Sequence, residues 1–220
     1  MEIDPSQLDA AKRYKLMIGC IIPRPIALVS TMSPDGASLN LAPFSYFCGV
    51  SSTPMTLLFC PSNMPDGREK DTLRNAKPEA EGGSGEFVVN GASEPYMREV
   101  AAASEPLEYG RSEFDLTGLA TSPSIRVRPP RVAASPIALE CRTLQVIRLA
   151  AGAPSGGNIV IGLVVHVFVR DDAINERYHL DSLKLQAVGR MGGLGYTRTR
   201  DRFDLPMGRG ALEEGLKGPE

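Results

Sequence analysis

The sequence is poor in the residues that most hydrolases and metalloenzymes need. It has no tryptophan, and its two histidines are His166 and His179. So few histidines leave little for a Ser-His-Asp or Cys-His mechanism, and no two-histidine metal motif is present. The four cysteines form no Cys-x-x-Cys pair and none lies near a histidine in sequence, so we expect no metal site.

Charge of one sign and long apolar runs are also missing. The formal net charge is -2 and no segment carries a basic stripe, which argues against a nucleic-acid binder. No stretch approaches the length of a membrane span, and the first residues form no apolar leader segment. Together with cysteines that we expect to be free thiols, this predicts a cytoplasmic protein with no membrane partner.

Several common cofactor and nucleophile motifs are absent as well. The sequence has no G-x-G-x-x-G after a strand, no Walker loop and no G-x-S-x-G elbow. The composition, 42% hydrophobic and 23% charged, is that of an ordinary globular chain, and we predict one domain over residues 1–220 with its core at about 14–206. If the protein is an enzyme, we expect a bound cofactor to carry the chemistry, with no catalytic side chain.

What the sequence does contain is a set of separated apolar runs with Gly and Pro turns between them. There is no regular alternation of strands and helices, so the pattern favours a closed or partly open antiparallel barrel over a doubly wound sheet. The predicted strands are residues 25–31, 55–60, 86–90, 135–149 and 158–170, and residues 33–36 form a turn.

Helices are predicted to be few and short. Asp4 and Pro5 are suitable for the start of a helix over residues 5–16, with Leu8, Ala11 and Lys15 on the face that packs on the body. A second helix over residues 70–75 would be capped by Asp71 or Thr72, and a third covers residues 94–104. Residues 77–85 are expected to be a flexible loop, 105–130 an irregular segment anchored by three apolar side chains, and the part after Pro206 a frayed terminus. The anchors are Phe114, Leu116 and Leu119.

An ordered series of short motifs identifies a family resemblance. Arg24–Thr31 reads RPIALVST and Asn40–Phe47 reads NLAPFSYF; KDT begins at Lys70, GEFVVN follows at Gly85, and PPRV and SPIALEC come later. The series ends with GRMGG at Gly189 and with Tyr196. No single motif is specific, but the ordered set resembles the flavin reductase-like family of FMN-binding split-barrel proteins, which includes flavoredoxins and NAD(P)H:flavin oxidoreductases.

The resemblance implies a mainly β, Greek-key split barrel with a few short helices. It also implies a homodimer that binds FMN non-covalently near the subunit interface and carries out redox chemistry at flavin N5. The residues that it places at FMN are Ser30 and Thr31 at the ribityl chain or phosphate, Asn40, Ala42, Pro43, Phe44 and Ser45 around the ring, Lys70, Asp71 and Thr72 at the phosphate loop, and Arg190 and Tyr196 closing the pocket.

Elementary chemistry agrees with these roles but leaves alternatives open. A lysine and a hydroxyl together suit a phosphate, and Pro43 with Phe44 offers contact area for a flat ring. Asn40 and Ser45 would, taken alone, be assigned to satisfying backbone groups in a turn. Arg190 is as well suited to an ion pair across a dimer interface as to a contact with the flavin. Tyr196 is likewise as well suited to packing at that interface as to closing the pocket.

The sequence also departs from the family where a Glu and, later in the same strand, a His often occur. Leu163 and Phe168 stand at those places, with His166 between them on the same strand face as Phe168. We therefore keep two functions: a flavin reductase that uses NADH or NADPH and passes electrons to free flavin or a partner protein, and an FMN-binding electron carrier without its own NAD(P)H activity. The sequence does not decide between NADH and NADPH or identify the acceptor.

Overall fold

The structure, a computed structural model, describes residues 1–213. Its strands are β1 Ala27–Met32, β2 Leu39–Phe44, β3 Phe47–Ser52, β4 Met55–Phe59, β5 Glu86–Gly91, β6 Thr121–Ser122, β7 Arg131–Val132, β8 Ile137–Arg148, β9 Asn158–Val169, β10 Val188–Arg190 and β11 Tyr196–Arg198. Its α-helices are α1 Ala10–Cys20, α2 Asp71–Ala76, α3 Met97–Ala102, α4 Glu113–Thr117, α5 Ser182–Leu185 and α6 Gly210–Glu213. Short 3-10 turns cover Pro5–Gln7, Glu79–Glu81, Glu94–Tyr96 and Asp171–Ala173.

Seven strands form one antiparallel sheet in the order β2-β1-β5-β8-β9-β4-β3. The two outer strands, β2 and β3, are consecutive in the chain and are joined only by Ser45 and Tyr46. Because so short a link brings the two edges of the sheet together, the sheet curls into a split barrel. The predicted mainly β split barrel with a few helices is confirmed.

The barrel interior is filled by apolar side chains that alternate along the strands. Phe59 lies at its centre, fully buried, with its ring centroid 5.1 Å from that of Phe44 and 5.2 Å from that of Phe87. Gly162 on β9 faces the Phe87 ring, and a Cβ added there would lie 2.4 Å from the ring, so only glycine fits. On the other sheet face, α3 and α4 cover a second apolar cluster that includes Leu28, Leu41 and Val100.

The N-terminal helix differs from the prediction. Asp4 caps only the 3-10 turn Pro5–Gln7, and Asp9 caps the separate helix α1, accepting a hydrogen bond from the Lys12 N–H at 2.8 Å. Ala11 and Lys15 are exposed, and the one buried residue of α1 is Ile18. The predicted packing face was wrong because α1 contacts the body mainly through its C-terminal end.

The predictions for two polar segments, β3 and residues 77–85, differ from the structure, which is ordered in both. The strand β3 was not predicted, because Gly49, Ser51 and Ser52 are poor strand formers. Ser51 lies near the end of this strand, where its Oγ accepts a hydrogen bond from the Thr53 N–H at 3.0 Å. Residues 77–85, predicted to be flexible, include a 3-10 turn and are tied back by an ion pair from Glu81 to Arg148.

Three further details are settled by packing. Lys70, not Asp71 or Thr72, is the N-cap residue of α2, and no side chain caps that end. Phe114 is buried as expected, whereas Leu116 is 51% exposed. The predicted frayed terminus includes the short helix α6, and residues 214–220 lie outside the described part of the chain. Within residues 1–213, no helix has both the length and the apolar character needed to cross a bilayer.

Candidate functional site

Two adjoining cavities lie beside the corner that links β2 to β3. The first, which we name the α2 cavity, has a volume of about 350 Å³ and lies between β2, α2 and the segment 103–109. The second, the α1 cavity, has a volume of about 860 Å³ and lies between α1, the corner residues 43–46 and the loop 154–157. Both are lined by Pro43, Phe44 and Lys70, so they form two halves of one groove of the size that small-molecule ligands use.

A buried layer of hydrogen bonds fastens α2 to the sheet below the α2 cavity. Thr31 and Asn40 face each other across the β1–β2 pair. Asn40 Nδ2 donates to Thr72 Oγ1 at 2.9 Å and to Thr31 Oγ1 at 3.3 Å. Asn75 Nδ2 donates to the same Thr31 oxygen at 3.1 Å. These bonds hold Thr72 and the start of α2 at a defined place beside the cavity.

The cations of the α2 cavity differ in whether they have partners. Arg68 is paired with Asp66 at 2.6 Å, and Arg74 is 3.8 Å from Asp71. Within residues 1–213, the Lys70 ammonium has neither a carboxylate nor a hydrogen-bond acceptor within bonding distance. Its burial without compensation lowers the pKa of Lys70. The Lys70 ammonium is therefore a cation of the cavity that forms no ion pair within residues 1–213.

Two of the carboxylates that line the same cavity, Glu69 and Glu113, are held by other groups. Glu69 is 2.9 Å from the Lys77 ammonium and 2.8 Å from the Arg148 guanidinium. Glu113, 6% exposed, accepts the Leu41 N–H at 2.8 Å. Burial raises the pKa of Glu113, and the nearby charge of Asp71 raises it further, while the Leu41 bond opposes the rise. These contacts engage Glu69 and Glu113 with groups other than Lys70. Glu105 and Glu108 also line the cavity, and within residues 1–213 neither forms an ion pair with Lys70.

The α1 cavity has a different chemistry. Its walls include Phe44, Tyr14 and Tyr46, and none of its lining residues within the described chain is acidic. Ser45 also lines it, and Ser45 Oγ accepts a hydrogen bond from Arg24 Nε at 3.2 Å. Burial raises the pKa of the Tyr46 phenol and of the Cys60 thiol, so both stay protonated near neutral pH. The cavity combines aromatic surface with hydroxyl groups.

Most of the residues predicted at FMN line this groove, but not all. Ser30 does not: it is fully buried, donates to the Pro130 carbonyl at 2.6 Å and points to the sheet face opposite Thr31, because neighbouring strand residues alternate. Thr31 lies one layer below the α2 cavity. The predicted residues that do line one or both cavities are Asn40, Ala42, Pro43, Phe44, Ser45, Lys70, Asp71 and Thr72.

Arg190 and Tyr196 lie apart from both cavities. They face each other across the β10–β11 pair, and the Arg190 guanidinium carbon is 4.4 Å from the centroid of the Tyr196 ring. The backbone of Arg190 exchanges two hydrogen bonds with that of Arg24, at 2.8 and 2.9 Å. In a single chain this hairpin braces the start of β1 and does not close the groove.

The structure also adds residues that the sequence did not single out. Tyr109 lines the α2 cavity, where Arg74 stacks on its ring at 3.6 Å and its hydroxyl donates to Asn75 Oδ1 at 3.4 Å. Tyr14 and Tyr46 line the α1 cavity. Tyr46 directly follows the NLAPFS motif and could have been included, whereas Tyr109 comes from a distant irregular segment that gives no local signal.

Glu113 gives a prediction about the pH dependence of stability. Because its folded-state pKa lies above the ordinary value of 4.5, the ionised carboxylate is disfavoured in the folded protein. Its contribution to stability is therefore greatest below pH 4.5 and is lost as the pH rises through the folded-state pKa. Glu113→Gln keeps an oxygen for the Leu41 N–H but cannot ionise, so we expect a smaller loss of stability between pH 4.5 and 7.5. Urea unfolding at both pH values measures this, and equal losses in the two proteins would contradict it.

Comparison with known proteins supports one family for this chain. A family model described as the flavin reductase like domain matches residues 18–197. An uncharacterized protein from Deinococcus radiodurans is 36% identical over 208 residues, covering 92% of this chain and 87% of that protein. An uncharacterized protein from Halalkalibacterium halodurans is 35% identical over 206 residues, covering 93% of this chain and 95% of that protein.

Two solved structures are similar over almost their whole length. Nitrilotriacetate monooxygenase component B from Bacillus cereus is 30% identical, with a TM-score of 0.85, covering 93% of this chain and 98% of that chain. The 2-nitrobenzoate 2-nitroreductase of Pseudomonas fluorescens is 29% identical, with a TM-score of 0.82, covering 95% and 97% of the two chains. The chain therefore belongs to the flavin reductase-like family, and its activity is of the flavin-related oxidoreductase kind.

Proposed function

We propose that this protein binds FMN non-covalently and is an NAD(P)H-dependent flavin reductase that passes electrons to free flavin or to a partner protein. The observation that carries the proposal is the unpaired ammonium of Lys70, which faces both halves of a groove walled by Pro43 and Phe44. A phosphate and a flat aromatic ring are the two ends of FMN, joined by its ribityl chain, and this groove offers a suitable surface to each end.

The donors around the α2 cavity fit a phosphate. Lys70 supplies a charge without a protein partner, and Thr72 supplies a hydroxyl fixed by Asn40. Arg68 and Arg74 add positive charge at the rim, although each already has an acidic neighbour. A charge-assisted hydrogen bond to a phosphate relieves the desolvation that the free ammonium suffers in the apoprotein.

The α1 cavity fits the ring. Pro43, Phe44 and Tyr46 supply apolar contact area, and Ser45 supplies a hydroxyl for a polar ring edge. When bound, the flavin supplies the capacity to accept two electrons from a nicotinamide and pass them on. The side chains therefore need to bind, orient and shield the cofactor, and no protein acid or base is required for that transfer, which agrees with the scarcity of histidine.

The second candidate function is an FMN-binding electron carrier without its own NAD(P)H activity. One observation favours it. Phe168 packs in a small apolar cluster with Val88 and Val127, and the Arg131 guanidinium lies 3.8 Å from its ring centroid. The β9 position where the family often has a histidine thus carries a packed ring, which offers no hydrogen bond to a nicotinamide.

We also propose a homodimer and a protein acceptor. Tyr14, Met17 and Ile21 on and just after α1 and Leu194 near β11 are large apolar side chains between 50% and 92% exposed. The two segments that carry them meet, because Gly192 lies against Gly19 at the end of α1. An exposed apolar patch of this kind is typical of an interaction surface. The similarity to a protein named as component B of a monooxygenase favours a flavin-consuming partner enzyme as the acceptor.

One preparation tests these proposals. The protein is incubated with FMN, freed of excess, and examined by sedimentation equilibrium and by visible spectroscopy before and after anaerobic addition of NADH or NADPH. We expect a dimer of the 23.6 kDa chain that retains flavin absorption and loses it within seconds of adding one nucleotide. Absorption that persists with both nucleotides but disappears with dithionite supports the carrier, and a protein that retains no flavin overturns both functions.

A further inference from the structure

The strongest remaining feature is a buried cation that the proposed phosphate site does not use. Arg24 is 3% exposed, and its guanidinium makes hydrogen bonds only to neutral oxygens. Nη1 donates to the carbonyls of Ile18 and Ile21 at 2.5 and 2.7 Å, and Nη2 donates to that of Met191 at 3.0 Å. Among residues 1–213, no carboxylate lies within ion-pair distance of Arg24. A buried arginine usually has an acidic partner, so this absence calls for an explanation.

The fourth bond of Arg24 reaches the groove. Its Nε donates to Ser45 Oγ at 3.2 Å, so that oxygen acts as an acceptor on the Arg24 side. Ser45 lines the α1 cavity and, within the described chain, its hydroxyl hydrogen has no protein acceptor. With the lone pair directed at Arg24, the hydroxyl proton is left to point into the cavity. Arg24 therefore orients Ser45 as a hydrogen-bond donor.

The charge of Arg24 also reaches the cavity wall. Burial raises the pKa of the Tyr46 phenol, and the charge of Arg24 acts against that rise, so Arg24 lies close enough to act on a residue that lines the same cavity. The carbonyls at the end of α1 offset part of this charge, but carbonyl dipoles carry no full negative charge. Because charges act over longer distances in a poorly solvated site than in water, Arg24 adds positive potential to the α1 cavity.

We propose that Arg24 is a positioning residue that makes the α1 cavity selective for the reduced, more negatively charged state of the ring bound there. It does so by orienting the Ser45 hydroxyl as a donor and by placing an uncompensated positive charge behind it. This inference rests on the proposed FMN site. It adds a stated role for Arg24 and Ser45, which the geometry links across the β2–β3 corner.

The test compares the affinities of oxidised and reduced FMN, through the midpoint potential of the bound cofactor relative to free FMN. In Ser45→Ala, which removes the donor and leaves Arg24 in place, we expect the preference for reduced FMN to fall about tenfold, a potential lower by about 30 mV. In Arg24→Gln, which removes the charge as well, we expect a larger fall. Arg24→Lys keeps the charge, and we expect it to restore most of the preference.

The control is Lys15→Gln, which removes one charge from the exposed face of α1, the helix that ends beside Arg24. It should leave the midpoint potential unchanged. If Arg24→Gln does not fold, Ser45→Ala and Arg24→Lys still decide the question. A potential that stays at the wild-type value in Ser45→Ala and in a folded Arg24 variant, while thermal stability drops, overturns the proposal and leaves Arg24 a structural residue. Wild-type protein that binds no FMN at all would instead overturn the proposed function, so the two failures are distinct.

Discussion

Replacing Lys70 with glutamine is expected to weaken FMN binding by about 100-fold. A charge-assisted hydrogen bond that is left unmade costs roughly 1.5–3 kcal/mol, and about 2.7 kcal/mol corresponds to a factor of 100. Lys70 is the cation of the α2 cavity that lacks a protein partner within residues 1–213, so no neighbouring residue of that cavity supplies an equivalent free charge. Fluorescence titration of FMN with the apoprotein measures the dissociation constant.

The same substitution should not destabilise the apoprotein, which separates a binding role from a structural one. Burial lowers the folded-state pKa of Lys70 below its ordinary value of 10.5, so the charged amine is disfavoured in the folded chain. The wild-type apoprotein therefore gains stability as the pH rises from the folded-state pKa towards 10.5, and Lys70→Gln should lack this gain.

A matched control for Lys70→Gln is Lys12→Gln, which removes an exposed lysine whose ammonium is 3.4 Å from Asp9 on the surface of α1. Exposed pairs of this kind contribute little, so FMN affinity and stability should stay close to those of the wild type. A Lys70→Gln protein with an FMN affinity indistinguishable from that of the wild type, or a control equally impaired, would contradict the assignment of Lys70 to the phosphate.

Replacing Phe59 with alanine is expected to lower the free energy of unfolding by about 3–5 kcal/mol, the range typical of large-to-small changes at buried aromatic residues. Phe59 has no solvent exposure and its ring lies between those of Phe44 and Phe87. The lost contacts and the cavity left behind both contribute. Chemical unfolding of the apoprotein, followed by circular dichroism, measures the change.

The Phe59→Ala effect should also reach the groove, because Phe44 lines both cavities and loses a neighbour. Phe59→Leu keeps most of the volume and serves as the control, with a loss of stability well below that of the alanine variant. A loss under about 1 kcal/mol in Phe59→Ala would show that the barrel core collapses around the gap at little cost, contrary to a close-packed interior.

Elements with strong local signals were predictable from the sequence. The runs that became β1, β4, β5, β8 and β9 are rich in apolar residues with turn signals at both ends, and they were placed within a few residues of their observed bounds. β2 and β3 were not predicted as strands. Four of the six residues of β3 are small and five are exposed, and an edge strand of that kind is held mainly by its pairing with β4. Hydrogen bonds to a neighbouring strand involve the backbone, so they leave no periodic pattern of side chains in the strand's own sequence.

The residues of the candidate site also divide into those that the sequence identified and those that it placed wrongly. Asn40, Pro43, Phe44, Lys70 and Thr72 lie in contiguous motifs, so a family pattern identifies them from the sequence alone, and folding brings them together along the groove. Ser30 was included because it is next to Thr31 in the motif. Adjacency along a strand, however, sends neighbouring side chains to opposite faces, and Ser30 lies on the face opposite the groove.

By itself, the sequence determined the family resemblance, the strand-rich character of the chain and the motifs that meet at the β2–β3 corner, since each depends on residues that are near one another in the chain. Only the tertiary structure decided which charges remain without partners. Arg68 and Arg74 each have a carboxylate within ion-pair distance, whereas the Lys70 ammonium has none within residues 1–213. Arg24 binds carbonyls that include that of Met191, far along the chain. The reason is physical: an ion pair or a buried hydrogen bond depends on distance in space, and folding alone sets that distance.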